Sequence, residues 1–282
     1  MRRNSGGCNG RTSQMGTGRP RPGAVVVGAG GCSVTVGAAR TDSGISGAAA
    51  PSPLAQDLAL ASLSIARRFA AGATMWCVSP KWPSHARHVA VEFVHPVIVG
   101  KRALPAFHVD EPDLLGALRV GSRAADILLA VGAAHDERLA ELMRHARAWG
   151  LLSLWIGTGL ERPQSGAADH VIWLSDDEIG AAYGGGFVRA YHLLWELTHV
   201  CFEHPGLLTS ESRECEDEVC ITCSDEGRLG EVTAILPGNR ASVRTAQGIE
   251  SVDVTLIDSL RPGALVIIHA GSALALVEEV PR

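Results

Sequence analysis

From Leu54 to Pro205 the chain alternates short apolar runs with segments of helical period, and this alternation limits the fold more than any other feature. Leu54 to Phe69 repeats apolar side chains at helical spacing (Leu58, Leu63, Ile65, Phe69) and stops at Gly72. Thr74 to Val78 reads as a strand, Ser79-Pro80-Lys81 as a loop, and Ser84 to about Val94 as a helix ended by Pro96. A strand follows at Ile127–Val131, then a helix from about His135 to Trp149. Strands at Leu151–Ile156 and His170–Leu174 lead into a long helix from about Gly186 to Glu203. Strands alternating with helices imply an α/β, doubly wound parallel sheet covered on both faces. Beyond acidic Glu211 to Glu218 the period switches to two, at Glu231–Leu236, Ala241–Thr245, Ser251–Leu256 and Ala264–Ala270. Turn signals at Pro237-Gly238-Asn239, Gln247-Gly248 and Pro262-Gly263 separate these runs, as in a small all-β barrel. The expected organisation is a leader at 1–52, an α/β domain at 53–209, an acidic linker at 210–218 and a barrel domain at 219–282.

Residues 1–52 are rich in Gly, Ser, Ala and Arg with almost no aromatic side chains, so a disordered leader is expected there. Its apolar stretch, Ala24 to Val27, is too short for a secretory h-region and dissolves into Gly28, Gly30 and Gly31. The same Gly-Ala-Gly-Gly resembles half of a dinucleotide loop, but it lacks the matched helix and downstream acid of a cofactor site. No apolar run reaches the roughly 18–20 residues a membrane helix needs. A net charge of −5 without a basic patch points away from nucleic acid. Seven cysteines form an odd set with no disulfide spacing, which suits a reducing cytoplasm.

Two helices carry imidazole and carboxylate along one edge. His85, His88, Glu92 and His95 fall on one stripe of the first, and His192, Glu196, His199 and Glu203 on one stripe of the second. Such stripes suit a divalent metal or an acid/base pair, and equally a polar edge whose histidines bond to backbone. Glu196-x-x-His199 also matches the di-iron carboxylate pattern, which needs a four-helix bundle that the intervening strands exclude.

Ser84-His85-Ala86-Arg87-His88-Val89-Ala90-Val91-Glu92-Phe93 resembles a helix of the phosphoheptose isomerases, members of the SIS (sugar isomerase) family. The likeness continues through Arg102-Ala103-Leu104-Pro105, Asp126 to Val131, and Tyr191-His192-Leu193-Leu194, about Leu54 to Leu208 in all. It implies a SIS-like fold, a homo-oligomer, and zinc held by a helix His and Glu with a Gln and a His from the last helix. His88 and Glu92 match the first pair. His199 matches the second His, with Tyr191 where the Gln belongs, or the register anchors on His192 instead. The family's Ser/Thr-rich phosphate loop is replaced here by Gly132-Ala133-Ala134-His135-Asp136-Glu137, and its first loop by Pro80-Lys81-Trp82-Pro83 before Ser84. Carboxylates at a helix start satisfy its dipole and repel phosphate, so these loops read as degenerate.

Val219-Cys220-Ile221 and Pro262-Gly263 through Ile268-His269-Ala270-Gly271 resemble the HypC/HupF hydrogenase maturation chaperones, over about Val219 to Val280. The resemblance implies an OB-like barrel that carries an Fe(CN)2CO unit from a HypD-type scaffold protein to the hydrogenase large-subunit precursor. Cys220 would supply the thiolate and His269 a second ligand; a soft thiolate suits low-valent iron. The function expected is therefore hydrogenase maturation, with the SIS-like domain as dimeriser or ligand sensor. The alternative is a zinc-dependent phosphosugar isomerase with an appended interaction domain. Cys215-x4-Cys220-x2-Cys223 has iron–sulfur spacing without a fourth cysteine, and Cys220-x2-Cys223 alone is a redox pattern without its βαβ frame.

Overall fold

Ser52 opens the first helix: its side chain accepts from the Ala55 amide, and Pro53 takes the first helical position. Helix α1 (Pro53–Ala70) turns Leu58, Ala61, Ile65 and Phe69 inward. The computed structural model describes residues 51–110, 112–209 and 227–277, all within one unit, Ala49–Arg282. Most of the expected leader, the acidic linker, and Cys215, Cys220 and Cys223 lie outside the described residues.

Five parallel strands form the central sheet: β1 (Met75–Val78), β2 (Ala106–His108), β3 (Ile127–Ala133), β4 (Leu152–Thr158) and β5 (His170–Leu174), in the order β2-β1-β3-β4-β5. Every residue of β3 and β4 is buried, as strands covered on both faces must be. Ile127, Leu129 and Val131 face a layer that includes α1, α2 (Pro83–Val94) and α6 (Gly186–Glu203). Leu128 and Ala130 face α3 (Leu114–Gly121) and α4 (Glu137–Ala148) on the other side. The expected α/β, doubly wound fold is thus observed. Strand order reverses between β1 and β3, and such a switch point opens a crevice at the carboxyl ends of the strands.

Four elements of this domain escaped the sequence pattern: β2, α3, α5 (Glu178–Ala182) and a 3-10 turn at Pro205–Leu207. Only Ala106 of β2 is buried, so its three residues carry no periodicity. Helix α4 begins at Glu137, two residues later than expected, because Asp136 stays extended as its cap.

The remaining strands, β6 (Arg228–Leu236), β7 (Arg240–Thr245), β8 (Gly248–Asp253), β9 (Leu265–His269) and β10 (Ser272–Leu276), close a barrel in the order β10-β8-β7-β6-β9. Val232, Val243, Val252, Val266, Ile268 and Ala273 fill it. The strand expected at Ser251–Leu256 instead ends at Asp253, whose carboxylate accepts the Thr255 amide at 2.9 Å and turns the chain. β10 was not foreseen. It follows a two-residue turn in which Ala270 (φ 49°) and Gly271 (φ 76°) are both left-handed, the geometry that best suits the twist of a hairpin.

The barrel is fastened to the α3–α4 layer by one buried carboxylate. Glu231 on β6 is fully buried; it accepts from Arg119 Nε at 2.9 Å and from Trp149 Nε1 at 2.7 Å. The His145 ring lies 3.8 Å from the same carboxylate. The bond to Glu231 raises the Arg119 pKa further above its ordinary range. From β7, Arg244 stacks 4.7 Å over the Trp149 ring and donates to the carbonyls of Arg119 and Ser122 at 2.7 and 3.0 Å. Among the described residues, no helix is long and apolar enough to cross a membrane.

Candidate functional site

Four residues separate β1 from α2, so the first turns of α2 sit at the carboxyl edge of the sheet, beside α6. His88 and Glu92 are one turn apart on α2, and His192 projects from α6 to meet them. His88 Nε2 lies 3.2 Å from Glu92 Oε1. His192 Nε2 lies 3.3 Å from the same oxygen and 3.4 Å from His88 Nε2. Three donor atoms therefore form a nearly equilateral triangle. A tetrahedral zinc with bonds of about 2.0–2.1 Å to nitrogen and oxygen has ligand–ligand edges of about 3.3–3.4 Å. The triangle matches one face of that tetrahedron, and two imidazoles with one carboxylate are a donor set zinc accepts. The three side chains are 41%, 20% and 45% exposed, so the triangle is accessible from solvent.

Behind this triangle lies a second row. Tyr191 Oη is 2.7 Å from His88 Nδ1 and 3.4 Å from His85 Nδ1, and His85 Nε2 is 3.0 Å from the Ala182 carbonyl oxygen. Burial lowers the His85 pKa, with the His88 charge adding to it against the Ala182 bond, and favours the neutral ring. Burial, and secondarily the Glu92 charge, push the Tyr191 phenol well above its usual range, so the hydroxyl keeps its proton. His85 was legible as a member of the stripe. Tyr191 was legible only as a substitution in a motif.

His199 does not join the site. It is buried farther along α6, with Nδ1 2.9 Å from the Trp195 carbonyl oxygen and Nε2 3.1 Å from that of Arg102. The expectation that His199 lines the metal stripe is corrected: both ring nitrogens are engaged by backbone. Glu203 pairs with Lys101, and Glu196 is exposed.

The loops expected to be degenerate sit at the switch point. Asp136 caps α4 by accepting from the Arg138 amide at 3.1 Å. His135 is exposed, 3.5 Å from Glu178 of α5, and Glu178 also pairs with Lys81 from the loop after β1. Gly132 is a packing residue, because a Cβ there would collide with the Leu139 side chain. Ser84 lies exposed in the first turn of α2. At this crevice stand a capping carboxylate and an internally paired lysine.

On the barrel, His269 is the last residue of β9, half-buried and paired with Ser272 across the tight turn. Cys220 lies outside the described residues.

No protein-family model matches the sequence, and neither does any curated protein. Among solved structures, the chain is similar to a phosphoheptose isomerase from Francisella tularensis, with 13% identity and a TM-score of 0.45, over 52% of this chain and 87% of that one. It is also similar to the phosphoheptose isomerase GmhA from Neisseria gonorrhoeae, with 12% identity and a TM-score of 0.43, over 52% and 86%.

Proposed function

We propose that the α/β domain is a degenerate sugar-isomerase-type domain that binds a divalent ion, zinc by its donor chemistry, on His88, Glu92 and His192. The reading is carried by the triangle of donor atoms, whose edges of 3.2, 3.3 and 3.4 Å suit a tetrahedral ion with one open corner. Zinc supplies Lewis-acid polarisation of a ligand oxygen at such a corner. The crevice supports a neutral hydroxyl- or carbonyl-bearing ligand rather than a sugar phosphate, since Asp136 and Glu178 occupy the anion's place. Titration of the metal-free protein with cobalt tests this. One ion per chain with a tetrahedral spectrum is expected, and loss of that spectrum in His192→Ala. Unchanged binding in that variant refutes the assignment.

For the barrel we infer the hydrogenase-maturation role, in which Cys220 and His269 carry the Fe(CN)2CO unit as cargo between a HypD-type scaffold and the large-subunit precursor. The observation that favours it is one of register: Arg228 pairs with Ile268, so the start of β6 and His269 at the end of β9 lie at the same end of the barrel. Infrared spectra of protein purified with its partners test it, through the stretches of bound CO and cyanide. Cys220→Ala should lose both bands and fail to mature hydrogenase, while Cys223→Ala does clearly less harm.

A further inference from the structure

We propose that Tyr191 and His85 form a relay, anchored on the Ala182 carbonyl, that holds His88 in its Nδ1–H tautomer and so aims the Nε2 lone pair at Glu92 and His192. It rests on reading that triangle as an ion site. The relay explains a difficulty in the triangle. A histidine can ligate only through an unprotonated nitrogen, and within the triangle the Glu92 carboxylate, an acceptor 3.2 Å away, by itself draws the proton of His88 to Nε2.

The direction of each hydrogen bond follows from its neighbour. The Ala182 carbonyl only accepts, so His85 Nε2, 3.0 Å away, donates to it. A neutral imidazole carries one N–H, which leaves His85 Nδ1 as an acceptor. The hydroxyl that faces it, Tyr191 Oη at 3.4 Å, has one proton to give. Once that proton points at His85, the phenol oxygen is left with lone pairs only, toward His88 Nδ1 at 2.7 Å. His88 Nδ1 must then donate, and its N–H is committed away from the triangle. Nε2 carries the lone pair. His192 Nε2, 3.3 Å from Glu92 and 3.4 Å from His88, can donate into this pair of acceptors until an ion replaces its proton. The reverse chain, with Tyr191 donating to His88, places N–H on His88 Nε2 toward Glu92 and turns no proton toward His85 Nδ1. An ion must then displace a second proton, at a cost in affinity.

Outer partners of metal-bound histidines are usually carboxylates or backbone carbonyls, which accept without further help. A phenol can donate in either direction, so here a third group is required to orient it. His85 and Ala182 supply that orientation. Tyr191 and His85 are thus positioning residues that act through His88.

The tautomer is measured directly on the metal-free, 15N-histidine-labelled protein by long-range proton–nitrogen correlation, with His88→Gln assigning the ring. The expected result is an Nδ1–H ring at His88. In Tyr191→Phe, which keeps the packed ring and removes only the oxygen, His88 should move to the Nε2–H form. Cobalt affinity should then fall about 10–100-fold, the range seen when such outer partners are lost. An Nε2–H ring at His88 in the unsubstituted protein overturns the relay whether or not any variant folds. So does a Tyr191→Phe protein that keeps both the tautomer and the affinity. If the unsubstituted protein binds no cobalt, the ion-site reading fails, and the tautomer measured without metal still decides the relay.

Discussion

Replacing Glu231 with glutamine keeps the shape of a fully buried side chain and removes its charge, so it probes the joint between barrel and α/β domain with little change in packing. Truncating one partner of a buried ion pair costs about 3–5 kcal/mol. Arg119 is 37% exposed, however, and water partly replaces what it loses, which moves the charge contribution toward the ~0–1 kcal/mol of surface pairs. The hydrogen-bond contribution does not shrink in this way. Trp149 Nε1 and the Arg119 guanidinium approach the two carboxylate oxygens from different sides, at 2.7 and 2.9 Å. Whichever way the glutamine amide is turned, its NH2 faces one of these donors. A buried donor left without an acceptor costs about 1–3 kcal/mol. The expected loss is therefore about 2–3 kcal/mol.

At about 2–4 °C per kcal/mol for a domain of this size, thermal unfolding should shift down by about 4–12 °C. Circular dichroism melts of Glu231→Gln and Glu231→Ala are the assay, and the alanine variant should be the lower of the two. The double variant Glu231→Leu with Arg119→Leu should recover only the part due to the unpaired guanidinium, because Trp149 Nε1 still lacks its acceptor. A Glu231→Gln protein that melts within about 1 °C of the unsubstituted one refutes the reasoning. It would mean that the carboxylate is hydrated, or that the apolar contact of Leu229 and Leu265 with α4 alone holds the barrel.

Three further outcomes are expected. Burial lowers the pKa of His170 from its ordinary 6.5, so the unfolded chain binds the proton more readily. Stability should fall as pH drops below about 6.5, and His170→Gln should flatten that fall in melts between pH 7 and 5; equal slopes for both proteins count against it. Sugar phosphates should bind weakly or not at all at the switch point, and serines at Asp136 and Glu137 should improve calorimetric binding of a heptose phosphate, since a carboxylate there costs about 1 kcal/mol against an anion. We also expect self-association through the α1 and α6 side of the sheet, where Leu60 and Leu193 remain exposed; a monomer in light scattering at micromolar concentration rejects it.

Much of the architecture was legible because its strands and helices are long and strongly patterned. β3 and β4 are apolar at nearly every position, and α6 holds its period over its full length. His88 and Glu92 were legible for the same reason, as one face of one helix. The choice between His192 and His199 was not. Seven residues apart, they share almost the same direction around α6 and differ by about 10 Å along it. Periodicity reports the direction of a side chain, whereas a site also needs its height, which is set by where α2 crosses α6. Glu231 shows the same limit in a strand: alternation marks an acid as outward-facing, and only the docking of α4 makes that outward face an interior. The most distant determinant of the site has no side-chain signature. Every residue has a carbonyl, and the one at Ala182 matters because α5 ends beside His85, where its acceptor can pass a hydrogen-bond direction through Tyr191 to His88.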